Sequence, residues 1–264
     1  PTSGSAVHLS ARAPPLQHEA RGRPRLRRSA SHVTRSRLTV AVAQPEIIAN
    51  DVAHNAAAHA QAVRDADARL VVFAELSLTG YERSAASVAL DDPSLALIIK
   101  ACRESDAIAL VGAPITESSQ DFIAMLRVDA GGATVAARKV WLHGDEAERF
   151  TPASRVSVID IDNWRVGLAI CRDTAISQRA VALAEEGIGL YVAGVLDVPG
   201  EASERAARSQ LIARALRVPV AVAHYIGATS LFPETGGASA IYDRDGSTLA
   251  HTPDAGGIAT ATLA

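Results

Sequence analysis

Short apolar runs separated by polar turns constrain this chain most, because their length suits strands of a buried sheet. The clearest run covers residues 164–170 and ends at Cys171. Such a run predicts a buried strand. A helical pattern follows, which Asp173 or Thr174 can cap at its start. The sequence therefore places Cys171 at a strand-to-helix turn.

The position predicted for Cys171 gives its thiol a possible chemical role. A helix N-terminus offers unpaired backbone N–H groups and the positive end of the helix dipole, which favour a thiolate and later an oxyanion. A small cysteine buried among apolar side chains is the common alternative. The residues around Cys171 leave both interpretations open.

A carboxylate ends a second apolar run. Residues 70–74 form the run, and Glu75 follows directly. A carboxylate at the end of a buried strand is partly desolvated, which raises its pKa toward that of a general base. The alternative is an acid that turns outward to water. Glu75 is the second candidate for chemistry.

Lysine is scarce in this chain. Lys100 and Lys139 are the only lysines beside 24 arginines. Arginine is a planar, permanently charged fork, whereas lysine is a compact ammonium that can point at one atom in a tight site. Lys139 ends a predicted strand at residues 134–139. The composition indicates that one of the two lysines has a chemical role, and it leaves open which one.

Strands and helices alternate along the chain, with antiparallel hairpins between them, which indicates a layered α/β sheet protein. The predicted helices cover residues 51–68, 93–104 and 201–217. Further strands are predicted at residues 38–44, 107–114, 122–128, 155–161, 189–193, 219–225, 238–242, 248–250 and 258–263.

Composition divides the chain in two. Residues 1–37 carry eight arginines and a single acid and lack hydrophobic periodicity, which predicts a disordered basic N-terminal tail. Residues 38–264 form the predicted folded domain. The whole chain has a net charge of −3, so this domain is acidic and we expect no nucleic acid partner. No apolar run is long enough for a membrane span, and we expect no membrane partner.

The two cysteines predict neither a disulfide framework nor a zinc site. Cys102 falls in the middle of a predicted helix, where a packed core thiol is expected, and no second cysteine lies near Cys171 in the sequence. His54 and His59 share a helix at a spacing of five, which does not give a common metal-binding face. We therefore expect a cytoplasmic protein without a metal or another cofactor.

Three segments together resemble the nitrilase superfamily of carbon–nitrogen hydrolases. They are residues 71–81 around Glu75, residues 138–142 around Lys139, and residues 166–173 around Cys171. Later family segments are similar to residues 213–216, 219–223, 236–239 and 245–246, so the resemblance covers essentially the whole predicted domain.

The resemblance implies a four-layer α-β-β-α sandwich that forms a homodimer or a higher homo-oligomer. Its catalytic triad maps onto Glu75, Lys139 and Cys171. A second catalytic glutamate maps onto Glu146, which lies four residues before Phe150, with Glu148 as the alternative.

The family mechanism implies that Cys171 attacks the substrate carbon and that Glu75 moves protons. Lys139 and the backbone N–H of Arg172 would bind the oxyanion. Arg172 follows the nucleophile where the family often has an aromatic or small residue, and we expect its side chain to pair with Asp173. His224 stands where an asparagine is typical of the family.

The function expected from the resemblance is hydrolysis of a small linear amide or N-carbamoyl compound through a thioester on the cysteine. A nitrilase with the same triad is the alternative within the family. A catalytically silent ligand-binding relative is the alternative from another class of protein. The partner is in each case a small molecule, an amide or a nitrile for the two enzymes.

Overall fold

The structure, a computed structural model, describes residues 36–253 and 256–264. The predicted N-terminal tail lies outside the described residues except for Ser36 and Arg37. The first described strand begins at Leu38, the residue at which the sequence predicts the domain to start.

Twelve strands and four α-helices are present in the described residues. The strands are β1 Leu38–Gln44, β2 Leu70–Val72, β3 Ile108–Glu117, β4 Gln120–Asp129, β5 Gly132–Arg138, β6 Ser157–Ile161, β7 Trp164–Ile170, β8 Leu190–Val195, β9 Val220–His224, β10 Ala240–Tyr242, β11 Thr248–His251 and β12 Gly257–Leu263. The helices are α1 Val52–Asp65, α2 Leu95–Ser105, α3 Ser177–Glu185 and α4 Ala202–Leu216.

The described strands form two six-stranded sheets of related topology. The first has the order β12-β1-β2-β3-β4-β5 and the second the order β11-β10-β9-β8-β7-β6. In the first sheet β1, β2 and β3 are parallel, and in the second β7, β8 and β9 are parallel. Antiparallel strands complete both sheets on either side.

The apolar core occupies three layers between the four layers of secondary structure. A central cluster joins inward-facing residues of the two sheets, such as Val72 and Leu168. A second cluster packs the first sheet against α1 and α2, and a third packs the second sheet against α3 and α4. The predicted α-β-β-α sandwich is therefore confirmed.

The chain after β7 differs from the sequence-based prediction. A short 3-10 helix, Cys171–Ala175, follows the strand, and α3 begins only at Ser177. Asp173 does not cap α3, because its carboxylate turns inward and accepts hydrogen bonds from the backbone N–H groups of Val140, Trp141 and Ile170.

Two glycines, one from each sheet, lie directly against the backbone segment that carries Glu75. A Cβ atom on Gly112 of β3 would lie 2.3 Å from the Leu76 nitrogen. A Cβ atom on Gly194 of β8 would lie 2.6 Å from the Phe73 carbonyl oxygen. These distances are too short for any side chain at either position. The segment after β2 therefore runs between two strands at a separation that only glycine permits.

We predict that Gly194→Ala destabilises the protein, because the added methyl group meets backbone and not a flexible side chain. Overpacking of this kind costs about 1–3 kcal/mol. Gly200→Ala is the matched control, since a Cβ atom there meets nothing within 4 Å. Urea unfolding of both variants checks the prediction. Equal midpoints for Gly194→Ala and wild type would contradict the close approach.

Candidate active site

A buried lysine joins two carboxylates between the sheets. The Lys139 ammonium donates hydrogen bonds to Glu75 Oε1 at 2.8 Å and to Glu146 Oε1 at 2.7 Å. The side chains of Lys139 and Glu75 are fully buried. The structure thus brings together three of the four residues to which the resemblance assigns catalytic roles. Glu148, the alternative to Glu146, is exposed.

Each member of this cluster lies just beyond an element that fixes its backbone. Glu75 follows β2, and Lys139 follows β5, where its backbone N–H donates to the Ile123 carbonyl at 2.8 Å. Glu146 belongs to a short 3-10 helix, Gly144–Glu148. The side chains meet because these chain segments lie at the same end of the sandwich.

Glu146 is held as a carboxylate by three donors. Besides Lys139, the Tyr81 hydroxyl donates to Glu146 Oε1 at 2.6 Å, and the His143 backbone N–H donates to Oε2 at 2.8 Å. Burial alone would raise the pKa of Glu146, but the Lys139 charge and these hydrogen bonds lower it below its ordinary value. Sequence reasoning missed the role of Tyr81, although it lies in the segment quoted around Glu75.

Glu75 has a different environment. Burial raises the pKa of Glu75 to about 7, although the Lys139 charge opposes the shift. Among the described residues, its Oε2 atom has no hydrogen-bond partner. Burial also acts to lower the pKa of Lys139, but the charges of Glu75, Cys171 and Glu146 raise it above its ordinary value. Lys139 therefore stays charged, and Glu75 is the group that titrates near neutral pH.

Cys171 opens the 3-10 helix after β7 in a left-handed backbone conformation with φ 45°. Such a conformation is uncommon outside glycine and is found where the surrounding structure enforces it. The thiol donates to the Leu196 carbonyl at 3.6 Å. Burial raises the pKa of Cys171 to about 12, and the Glu75 charge adds to this. The resting thiol is therefore neutral and needs a base to become a nucleophile.

An ion pair beneath Cys171 fixes this turn. The Asp173 carboxylate lies 3.4 Å from the Arg179 guanidinium, and both side chains are fully buried. Arg179 also donates to the Leu168 carbonyl of β7. The expectation that Asp173 pairs with Arg172 is wrong, because its carboxylate points inward while Arg172 is exposed.

A cavity of about 620 Å³ opens above Cys171. Its apolar wall consists of Ala175, Ile176, Leu196, Val198, Leu231 and Phe232. The charged residues that line it are Arg83, Asp145, Glu146, Arg172, Asp197, Glu201, Glu204, Arg205 and Arg208. The volume suits a small molecule.

Two of the charged residues that line the cavity, Asp197 and Arg205, belong to a group that sequence reasoning did not predict. Asp197 forms an ion pair with Arg205 of α4 and lies 3.0 Å from His224 Nδ1 of β9. Burial lowers the pKa of His224 to about 3, so the imidazole is neutral. His224, which stands where an asparagine is typical of the family, therefore contacts Asp197 of the cavity wall.

The geometry agrees with a comparison of the sequence with protein families. A model of carbon-nitrogen hydrolases matches residues 39–264. The chain belongs to the carbon–nitrogen hydrolase family. The resemblance found in the sequence is confirmed, and hydrolysis of a carbon–nitrogen bond in a small molecule is the activity of this family.

A curated relative of this carbon–nitrogen hydrolase is an (R)-stereoselective amidase from Pseudomonas sp.. The two sequences are 26% identical over 130 residues, which is 48% of this chain and 47% of the relative. The alignment therefore spans about half the length of that curated relative.

Solved structures of the nitrilase superfamily share the fold. Nit3 of Saccharomyces cerevisiae superposes with a TM-score of 0.77 at 18% identity, over 86% of this chain and 90% of that chain. An amidase of Nesterenkonia AN1 gives 0.76 at 20% identity, over 86% and 90%. A Xanthomonas campestris protein with an arsenic adduct in its active site gives 0.78 at 16%, over 87% and 91%.

Two further features of the described residues bear on partners. No helix among them is long and apolar enough to cross a membrane. Within the same residues, no group of three histidine, cysteine or acidic side chains is placed to hold a metal ion.

We predict that Asp173→Asn strongly destabilises the protein, because it leaves the buried Arg179 charge without its partner. Breaking a buried ion pair in this way costs about 3–5 kcal/mol. Asp160→Asn is the matched control, since the Asp160 side chain is 71% exposed and lies 3.8 Å from Arg165. Thermal unfolding checks both variants. A similar small change in both would show that the Asp173 pair does not fix the turn.

Proposed function

We propose that this protein is an amidase that cleaves a small linear amide or N-carbamoyl compound through a thioester on Cys171. The observation that carries the proposal is the buried Glu75–Lys139–Glu146 cluster, which interacts with the Cys171 thiol, beside a cavity of small-molecule size that this thiol lines. The cluster supplies a base, a fixed cation and a fixed anion. These are the groups that acyl transfer to a thiol requires.

In the first half of the reaction, Glu75 takes the proton from the Cys171 thiol, and the sulfur attacks the amide carbon. The carbonyl π bond becomes a negatively charged oxygen. When the oxyanion collapses, the carbon–nitrogen bond breaks, and Glu75 returns the proton to the departing nitrogen. An acyl thioester and ammonia result.

In the second half, a water molecule gives a proton to Glu75 and attacks the thioester carbon. The carbon–sulfur bond then breaks, Glu75 returns the proton to the departing sulfur, and the carboxylic acid leaves while the Cys171 thiol is restored. We assign Glu75 as the base in both halves because its pKa lies near operating pH, the range in which a group can both accept and donate.

We assign the oxyanion site to the Lys139 ammonium and the backbone N–H of Arg172. Lys139 remains positive because Glu146 stays ionised next to it. Arg172 is the second residue of the 3-10 helix, where backbone N–H groups have no partner within the helix. Removal of one oxyanion donor typically reduces kcat by about 10²–10³.

The comparisons support an amidase over the two alternatives. The partial relative is an amidase, and one amidase of Nesterenkonia carries acrylamide added to its active-site cysteine. A nitrile would pass through the same thioester and stays the second candidate. A silent binding protein would not need a base with a pKa near 7 beside a thiol.

We propose that the protein acts as a homodimer or a higher homo-oligomer in the cytoplasm. Cys102 and Cys171 are free thiols, which suits a reducing compartment. The support for an oligomer is the similarity to the family.

We predict that Cys171→Ala abolishes ammonia release from a panel of small amides, N-carbamoyl compounds and nitriles, because no other thiol lies in the described cavity. Intact-mass analysis should find an acyl adduct in wild type and none in the variant. Cys102→Ala is the matched control, since Cys102 is buried against β4 and its thiol donates to the Val128 carbonyl. Activity that survives in Cys171→Ala would refute the proposed nucleophile.

We predict an acidic limb in the pH profile of kcat/KM with a midpoint near 7. Below this pH Glu75 is protonated and cannot accept the thiol proton, so activity falls as pH falls. Glu75→Gln should lose about 10²–10⁴-fold in rate and should lose this limb. Glu148→Gln is the control, because Glu148 is an exposed glutamate of the short 3-10 helix that carries Glu146. If the acidic limb of the pH profile is unchanged in Glu75→Gln, the limb belongs to another titrating group and the prediction is wrong.

A further inference from the structure

Arg172 differs from the other arginines at the cavity in its contacts. The arginine is exposed, follows Cys171 in the chain and lines the same cavity. Its guanidinium lies 3.3 Å from His143 Nδ1. Burial and the charge of Lys139 lower the pKa of His143 below its ordinary value, so this imidazole is a neutral partner. The contact orients the guanidinium without neutralising its charge.

Every other guanidinium at the cavity has a carboxylate partner. The pairs are Arg83 with Asp145 at 3.2 Å, Arg205 with Asp197 and Glu201, and Arg208 with Glu204 at 2.7 Å. Within the described residues, no carboxylate lies within the 4.0 Å of an ion pair from Arg172. The cavity therefore presents one guanidinium that is free to bind an anion from solution.

We propose that Arg172 is a specificity residue that binds a carboxylate at the far end of the substrate. The substrate class is then an amide with a terminal carboxylate, such as the monoamide of a short dicarboxylic acid or an N-carbamoyl amino acid. This inference rests on the proposed function, because it requires that the acyl carbon reacts at Cys171.

The planar guanidinium suits this role. It offers two parallel N–H donors to a carboxylate, and the charge-assisted bonds are stronger than neutral ones. Because Cys171 and Arg172 line the same cavity, one small molecule can place its amide carbon at the thiol and its carboxylate at the guanidinium. The apolar side chains of Leu196, Ile176 and Phe232 can pack against its methylene groups.

The direct test compares alkylation of Cys171 by iodoacetate and by iodoacetamide. The two reagents have similar size, and both form a carbon–sulfur bond by displacing iodide, but only iodoacetate carries a carboxylate. Intact mass gives the rate at which each reagent alkylates Cys171. The ratio of the iodoacetate rate to the iodoacetamide rate is then compared with the same ratio for the free thiol N-acetylcysteine. We expect the ratio in wild type to exceed the reference and to fall about tenfold in Arg172→Gln.

Arg83→Gln is the matched control, because it removes the same charge from the same cavity but from an arginine that already has a carboxylate partner. Its rate ratio should stay close to wild type. Arg172→Lys should recover part of the ratio, since it restores the charge without the fork. An equal fall of the rate ratio in Arg83→Gln and Arg172→Gln would show that the overall charge of the cavity causes the effect, and it would overturn the proposal.

The same comparison in turnover uses succinamate and butyramide, which differ mainly in a terminal carboxylate. In Arg172→Gln, kcat/KM for succinamate should fall at least about tenfold more than kcat/KM for butyramide. The anion site is refuted if butyramide is hydrolysed and Arg172→Gln changes neither the alkylation-rate ratio nor the ratio of kcat/KM for succinamate to that for butyramide. The proposed amidase function is upheld in that case. If Cys171 forms no adduct with any reagent or amide, the proposed function fails and the anion site fails with it.

Discussion

The buried charge of Lys139 is the constraint on which the other features of the site depend. A lone ammonium between two sheets would lose its hydration at a cost of several kcal/mol. Hydrogen bonds at 2.8 and 2.7 Å to two carboxylates offset that loss and hold Lys139 charged. Two carboxylates around one ammonium leave an excess negative charge, and the structure distributes it unequally between Glu75 and Glu146.

Unequal hydrogen bonding produces this distribution. Glu146 receives donors from Tyr81 and the His143 backbone in addition to Lys139, and its pKa falls. Glu75 has one oxygen without a partner in the described residues, and burial raises its pKa to about 7. The close backbone packing at Gly112 and Gly194 fixes the segment that carries Glu75, and the Glu75 side chain is buried. The fold thus makes one carboxylate a fixed anion and the other a titrating base.

The sequence predicted those features that local pattern determines. Three strand ends could be located because the predicted strands at residues 70–74, 134–139 and 164–170 end at or next to Glu75, Lys139 and Cys171. The layered class follows from the alternation of strands and helices. Local pattern offers Asp173 or Thr174 as a helix cap and Arg172 as the partner of Asp173, because these residues are neighbours in the chain. The partner that Asp173 has in the structure, Arg179, depends on how the turn folds inward. Asp197 contacts both Arg205 and His224, which lie in separate elements. These contacts could not be predicted from local sequence pattern, because the chain brings the residues together only on folding.

Charge conservation inside the buried cluster connects these features to the proposed reaction. With Lys139 positive, and Glu75 and Glu146 negative, the cluster carries one net negative charge beside a neutral thiol. Transfer of the thiol proton to Glu75 moves this charge to the sulfur of Cys171 and leaves the total unchanged. Lys139 attracts both the Glu75 and the Cys171 charge. The step therefore needs no new desolvated charge, which explains how a thiol with a pKa of about 12 can serve as the nucleophile near neutral pH.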